Sequence, residues 1–209
     1  MPAPLEIILL AAGQSRRMLG SDKRLLTING TPLLRHSASL YTNAGHHLTV
    51  VVGPDDHSAQ STLTGLPHTI AINPNPQTDH STSARVGLSA TPLTARGIVI
   101  ALADQPLLTP DDISALIASF DQYQATKIII PFWQSQRGNP IIFPASIAQI
   151  IRDNPAITPR RYIDARPDLC IEHLATDPHF TRDVDTPQDA AALLDPISPT
   201  NNPHFGVNR

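Results

Sequence analysis

Leu5-Glu6-Ile7-Ile8-Leu9-Leu10-Ala11-Ala12-Gly13-Gln14-Ser15-Arg16-Arg17-Met18-Leu19-Gly20-Ser21-Asp22-Lys23 decides how the rest of this chain is read. The run from Leu5 to Ala11, interrupted only at Glu6, is too short to cross a bilayer, and Gly13 ends it, so it reads as a buried strand. The chain then turns polar. Gly13 lets backbone approach a ligand without a side chain in the way, and Arg16, Arg17 and Lys23 bring positive charge close to it. Such a loop suits a polyphosphate. It is neither a Walker loop nor a Gly-x-Gly-x-x-Gly fingerprint, since both spacings are absent.

Working outward, strand and helix patterns alternate. Pro32 to Ala44 has helical spacing and closes at Gly45; Leu48 to Val52 and Thr69 to Ile72 read as strands with a short helix, Asp55 to Leu63, between them. Ser81 to Ala90 reads as a helix and Gly97 to Leu102 as a strand. Thr109-Pro110-Asp111-Asp112 supplies an N-cap, a proline at the first helical position and first-turn acids for the next helix. Lys127 to Phe132 and Asn139 to Phe143 are predicted strands separated by a polar turn. Ser146 to Asp153 is a short helix, Leu169 to Leu174 a late strand, and a last helix starts after Thr186-Pro187. This alternation predicts an α/β three-layer fold of Rossmann type, with a mainly parallel sheet and ligands outside the carboxyl ends of its strands.

Composition sets bounds on function. The chain has 209 residues, enough for one well-buried core, and we expect one domain over residues 1–195 with a loose, proline-containing tail over 196–209. Lys and Arg total 15 against 18 Asp and Glu, a net charge of -3, so no global basic field attracts nucleic acid or an anionic membrane. The single cysteine, Cys170, excludes an internal disulfide and any cysteine-rich metal site, and its apolar strand points to packing. With no leader-like segment, a cytoplasmic protein is expected.

Two carboxylates fall where the fold would place a site. Asp104 follows the Gly97 to Leu102 strand, where turn, cap and magnesium ligand are all open readings for an aspartate before a proline. Asp185 precedes Thr186-Pro187, where capping is the bland alternative. Asp183 and Asp189 read as solvated. His46-His47 reads as a surface pair, because neighbours on an extended segment point to opposite faces and chelate poorly. Trp133 and Tyr162 read as packing residues that could also stack on a flat ligand ring. Arg160 and Arg161 are candidates for binding a phosphate group.

Leu10-Ala11-Ala12-Gly13-x-Ser15-x-Arg17-Met18, with Gly20 and Lys23, resembles the opening motif of the MobA-like nucleotidyltransferases, and most of all the molybdenum cofactor cytidylyltransferases. Ala103-Asp104-Gln105-Pro106, Arg137-Gly138-Asn139-Pro140-Ile141-Ile142-Phe143 and Asp183-Val184-Asp185-Thr186-Pro187-Gln188-Asp189 resemble further family motifs in the family's order. Asn73-Pro74 with Ser81, Ser83 and Arg85 resembles a fourth, although Asp79-His80 stands where the family has Gly-Met.

The resemblance implies transfer of a cytidylyl group from CTP to the phosphate of a molybdopterin-type cofactor. Leu10, Ala11, Ala12, Gly13, Arg17, Lys23, Asn73, Ser81 and Ser83 would meet the nucleotide. Arg17, Lys23 and Asp104 would carry catalysis, Asp104 and Asp185 would hold Mg2+, and Arg137, Gly138, Asn139 and Pro140 would line the acceptor side. Ala11-Ala12 favours the cytidylyl branch, the guanylyl branch usually carrying Gly-Gly there. Guanylyl transfer, a sugar- or methylerythritol-phosphate cytidylyltransferase, and a non-catalytic carrier delivering the cofactor to a client molybdenum enzyme remain the alternatives.

Overall fold

The structure, a computed structural model, describes residues 4–13, 18, 22–76 and 80–194. The predicted alternation is present. In chain order, β1 is Glu6–Leu10, β2 Thr27–Ile28, β3 Thr31–Pro32, α1 Leu33–Thr42, β4 His47–Val52, α2 His57–Thr62, β5 Thr69–Ile72, α3 His80–Ala90 and β6 Gly97–Leu102. There follow α4 Pro110–Gln122, β7 Ile128–Trp133, β8 Gln136–Arg137, β9 Ile141–Pro144, α5 Ala145–Asp153, α6 Pro159–Ala165, β10 Cys170–Leu174 and α7 Pro187–Leu193.

The main sheet runs β10-β7-β9-β6-β1-β4-β5, with β8 also paired to β7. Pairings of β1 with β4 and β6, of β4 with β5 and of β7 with β10 are parallel, whereas β9 runs antiparallel between β6 and β7. The sheet is therefore mainly parallel, and the α/β expectation holds. Its central strands are almost wholly apolar, buried Glu6 and Thr49 apart, because helices cover both faces. Alternate residues go to opposite sides: Ile7 and Leu9 pack with Leu34 and Tyr41 of α1 and with Phe120 of α4, while Ile8 and Leu10 pack with Leu88 of α3 and Ile147 of α5. Gly87 of α3 is what lets that helix lie on the sheet, because a methyl there would sit 2.2 Å from Cγ2 of Ile8.

Three elements escaped the sequence reading. A small hairpin, β2 with β3, turns through Asn29 and Gly30, both at positive φ. The short β8 pairs with β7 through Gln134 and Ser135, also at positive φ. Helix α6 starts at Thr158, whose side chain accepts the Arg161 N–H.

The connectivity fixes where a ligand can sit. From β1 the chain builds outward through β4 to β5, then returns to place β6 on the other side of β1. The strand order thus reverses between β1 and β6, and at their carboxyl ends lie Gly13 and Asp104 respectively. Because β9 is antiparallel, the Gly138-Asn139-Pro140 segment preceding it reaches the same edge, as does the chain following β10.

Candidate active site

Backbone bonds hold the end of β1 before any ligand is considered. Ala11 donates its N–H to the Val51 carbonyl at 2.8 Å, and Ala103 donates to the Leu10 carbonyl at 3.2 Å. Ala11 and Ala12 are buried, whereas Gly13 is exposed, with nothing among the described residues within 4 Å of where a Cβ would sit. Arg17 and its neighbours Gln14 to Arg16 lie outside the described residues. Met18 is buried with Leu33, Val184 and Ala190, so the loop's far end is stapled to the segment that carries Asp185.

Lys23 joins the two predicted carboxylates. Its Nζ donates to Oδ2 of Asp104 at 2.5 Å and to Oδ1 of Asp185 at 3.0 Å, across 81 and 162 residues of sequence. Burial pulls the Lys23 pKa down, but Asp104 and then Asp185 outweigh it, and the net shift is upward. Lys23 is held as a cation. The peptide N–H of Val184 donates to the Asp104 carbonyl at 2.9 Å, which ties the Asp183–Asp185 segment to the end of β6.

Asp183 is not the solvated acid the sequence suggested, and Asp189, though open to solvent, has a structural task. Asp189 closes a capping box on α7: its Oδ2 accepts from the Thr186 N–H and hydroxyl at 2.8 and 2.7 Å, because an acid at the third helical position can reach back to the cap. Asp183 is drawn inward by the anchored Val184, and its Oδ1 is buried with no hydrogen-bond partner, as is Oδ1 of Asp104. Burial first, and the Asp104 charge second, push the Asp183 carboxyl up to about 6.

The sign of the pH effect follows. A raised carboxyl pKa means that the folded state holds the proton more tightly than the unfolded chain does. Stability therefore falls as pH rises from about 4 to about 6 and stays lowered above that, by at most about 3 kcal/mol. Asp183→Asn is expected to raise the melting temperature of the metal-free protein at neutral pH and to leave it nearly unchanged at pH about 4. An equal effect at both pH values would contradict this account.

The Arg137-Gly138-Asn139-Pro140 motif is framed by backbone bonds. Gly138 donates its N–H to the Pro131 carbonyl at 2.8 Å and Asn139 donates to the Phe180 carbonyl at 2.9 Å; the Asn139–Pro140 peptide is cis. A Cβ on Gly138 would meet the Phe180 carbonyl oxygen at 2.4 Å, so this close approach requires glycine. Gln105, itself buried, donates from Nε2 to the same carbonyl at 2.8 Å. Arg137 pairs with Asp164 of α6 at 3.1 Å, and Arg160 approaches that carboxylate at 3.9 Å, which groups these two arginines around one acid.

The nucleotide-side candidates divide. Asn73 is fully buried: its Nδ2 donates to Ser83 Oγ at 3.0 Å and its Oδ1 accepts the Asn75 N–H at 2.9 Å, so Asn73 and Ser83 brace β5 against α3. Ser81 sits one residue into α3 and is half-buried. Arg85 donates to the Asn154, Pro155 and Ile157 carbonyls and fixes the loop before α6. Cys170 is half-buried, with its thiol against the Arg166 carbonyl and pushed up by burial, which suits packing. His46 is not a surface residue: its half-buried Nδ1 accepts the Leu5 N–H at 3.2 Å and caps the start of β1. His47 is exposed and faces buried Glu6. Trp133 is partly exposed at the end of β7 and Tyr162 is buried in the core.

Arg24 was overlooked because it lies one residue beyond the motif. It forks onto Asp22 with bonds of 2.9 and 2.6 Å, pairs with Asp56, the N-cap of α2, and donates to the Ala11 carbonyl at 2.6 Å. Asp112, Asp177 and His179 also converge, with ligand atoms within 4.8 Å of one another. Asp112 is engaged in the capping box of α4 and in a 3.0 Å contact with His179, which clasps the turn leading to Phe180 onto that helix.

An exposed Gly13 and a lysine bridging two carboxylates, at the switch point of a mainly parallel sheet, stand where α/β proteins of this topology bind ligands. Residues 7–168 match the model of the MobA-like NTP transferase domain, and the chain belongs to that nucleotidyltransferase family. A probable molybdenum cofactor guanylyltransferase of Natronomonas pharaonis is 28% identical, over 91% of this chain and 97% of its own. Nicotine blue oxidoreductase of Paenarthrobacter nicotinovorans is 25% identical, over 90% and 95%. Among solved structures, Rv0371c of Mycobacterium tuberculosis superposes with a TM-score of 0.76 at 23% identity, covering 93% of this chain and 99% of that one. A structure of it in complex with manganese gives 0.66 at 22% identity, over the same shares. No helix among the described residues is long and apolar enough to cross a membrane.

Proposed function

We propose that this chain transfers the cytidylyl group of CTP to the phosphate of a molybdopterin-type cofactor and releases pyrophosphate. The observation that carries the reading is Lys23 bridging Asp104 and Asp185 beside the exposed Gly13. An acceptor phosphate oxygen attacks the α-phosphorus and the bond to the pyrophosphate oxygen breaks, so the protein needs no nucleophile. It aligns two anions and stabilises the charge that develops between them.

Backbone N–H groups at Ala12 and Gly13 face the nucleotide, with Ser81 at its rim and Asn73 and Ser83 holding that rim in place. Lys23 and Arg17 meet the phosphates. Arg137, Gly138, Asn139 and Pro140 receive the acceptor, with Arg160 nearby. Asp104 and Asp185 would hold Mg2+, and the unpartnered, buried Oδ1 of Asp104 fits an oxygen-preferring cation. Bound there, Mg2+ would supply charge neutralisation at the transferring phosphoryl group. The chain is proposed to act in the cytoplasm, with delivery to a client molybdenum enzyme compatible with catalysis.

The Ala11-Ala12 pair supports CTP: both are buried, and their methyl groups fill space that Gly-Gly would leave open. GTP is the second reading, favoured by the relative named as a guanylyltransferase. Pyrophosphate release from CTP, GTP and ATP with molybdenum cofactor as acceptor separates them. Release with CTP at least tenfold faster than with GTP is expected. Preference for GTP would keep the reaction and overturn the branch. Binding of cofactor without release from any nucleotide would favour a non-catalytic carrier.

A further inference from the structure

We propose that Gln105 is a positioning residue for the acceptor substrate: through the Phe180 carbonyl, which it shares with the Asn139 N–H, its buried amide sets the Gly138-Asn139-Pro140 segment against the turn that carries Asp104. The inference rests on the reading that this segment receives the acceptor, and it gives a task to a side chain that touches no substrate.

Gln105 is only 1% exposed, too deep to meet a ligand itself. Its Nε2 donates to the Phe180 carbonyl at 2.8 Å, and the Asn139 N–H donates to that same oxygen at 2.9 Å. A carbonyl oxygen has two lone pairs, so the two donors fix its direction and are held in register by it. Gly138 packs so closely on this peptide that a Cβ there would collide with the Phe180 carbonyl, and a displaced Phe180 therefore carries the segment with it. The Gln105 side chain also bonds to the Asp183 carboxyl. Both partners are acceptors, which is why an amide with two N–H donors suits this place.

The two ends of the link are not equally firm. On the Asp104 side, Ala103 donates to the Leu10 carbonyl, the Ser37 hydroxyl donates to the Ala103 carbonyl at 3.3 Å, and Val184 donates to the Asp104 carbonyl, so that turn keeps its place without the Gln105 amide. On the other side, the Phe180 ring is buried in the core and His179 is clasped to Asp112, but these contacts hold side chains, and the carbonyl itself is aimed by Gln105 and Asn139. Loss of the amide shifts the acceptor segment and spares the nucleotide side. Sites tolerate such shifts poorly, because productive contacts need their supporting hydrogen bonds.

The test is pyrophosphate release from whichever nucleotide the natural sequence uses fastest, with molybdenum cofactor varied at saturating nucleotide and then nucleotide varied at saturating cofactor. The natural sequence is compared with Gln105→Met, which keeps the volume and removes both donors, and with Gln105→Asn, which carries the amide on too short an arm; melting temperatures are measured beside the rates. In both variants the KM for cofactor is expected to rise about tenfold or more while the KM for nucleotide stays within about twofold and the fold melts close to the natural temperature. A cofactor KM that does not move, or a nucleotide KM that rises equally, would overturn the positioning role and leave the reaction standing. No release from the natural sequence with any nucleotide would overturn the reading of the reaction and this inference with it.

Discussion

Asp104→Asn is expected to lower nucleotide-dependent pyrophosphate release by about 10²–10³-fold while moving the melting temperature little. The substitution keeps the shape of the side chain and the backbone carbonyl that accepts from Val184, so the tie between β6 and the Asp183–Asp185 segment survives. What is lost is one negative charge. The Lys23 ammonium then keeps only Asp185 of its two carboxylate bonds, and the main force holding its pKa above the ordinary lysine value disappears. Two consequences reinforce each other in the proposed reaction: a cation held by Asp104 would lose that ligand, and the lysine is no longer aimed by a fixed acceptor. Stability changes little because a half-satisfied buried acid is exchanged for a neutral amide, which also relieves repulsion with Asp183. Steady-state rates beside a thermal melt check both halves. A variant within threefold of the natural rate would mean that Asp104 does not carry the reaction.

How far the sequence predicted this site depends on what kind of signal each residue leaves. The sheet was legible because burial on both faces makes β1, β4, β6 and β7 nearly continuous apolar runs. Asp104 and Asp185 were legible because each sits at an element boundary inside a motif. Asp183 was misjudged because nothing in the sequence distinguishes an aspartate pulled inward by a buried neighbour from one facing solvent. The β2–β3 hairpin had its signal, Asn29-Gly30 at the turn, and helix α6 had the same Thr-Pro start as α4 and α7. The β7–β8 turn left none, since Gln134 and Ser135 adopt positive φ without the usual glycine or asparagine. Asn73 illustrates the opposite error. A residue in a nucleotide motif need not face the nucleotide, and here its amide is consumed by Ser83 and Asn75.

Arg24→Ala should prove the most destabilising single change among these polar residues, by about 3–5 kcal/mol, which for a chain of this size is a loss of roughly 8–15 °C in melting temperature. Its guanidinium is a node, not a surface ion: it forks onto Asp22, pairs with the buried Asp56 and donates to the carbonyl of Ala11. Burial alone would lower its pKa, but Asp22 and then Asp56 more than compensate, so the cation belongs to the folded state. Removing it strands Asp56, which must still cap α2, and frees the Ala11 carbonyl just past the end of β1. Arg24→Lys separates charge from geometry. A lysine restores one ion pair but cannot make the planar fork and reach Ala11 together, so it should recover less than half of the lost stability. The nucleotide affinity of the lysine variant, measured well below its melting temperature, should also fall, because the loop's anchor and not only the fold's charge balance has been altered. Full recovery of both by lysine would reduce Arg24 to a counter-ion and remove the reason for placing it beside β1.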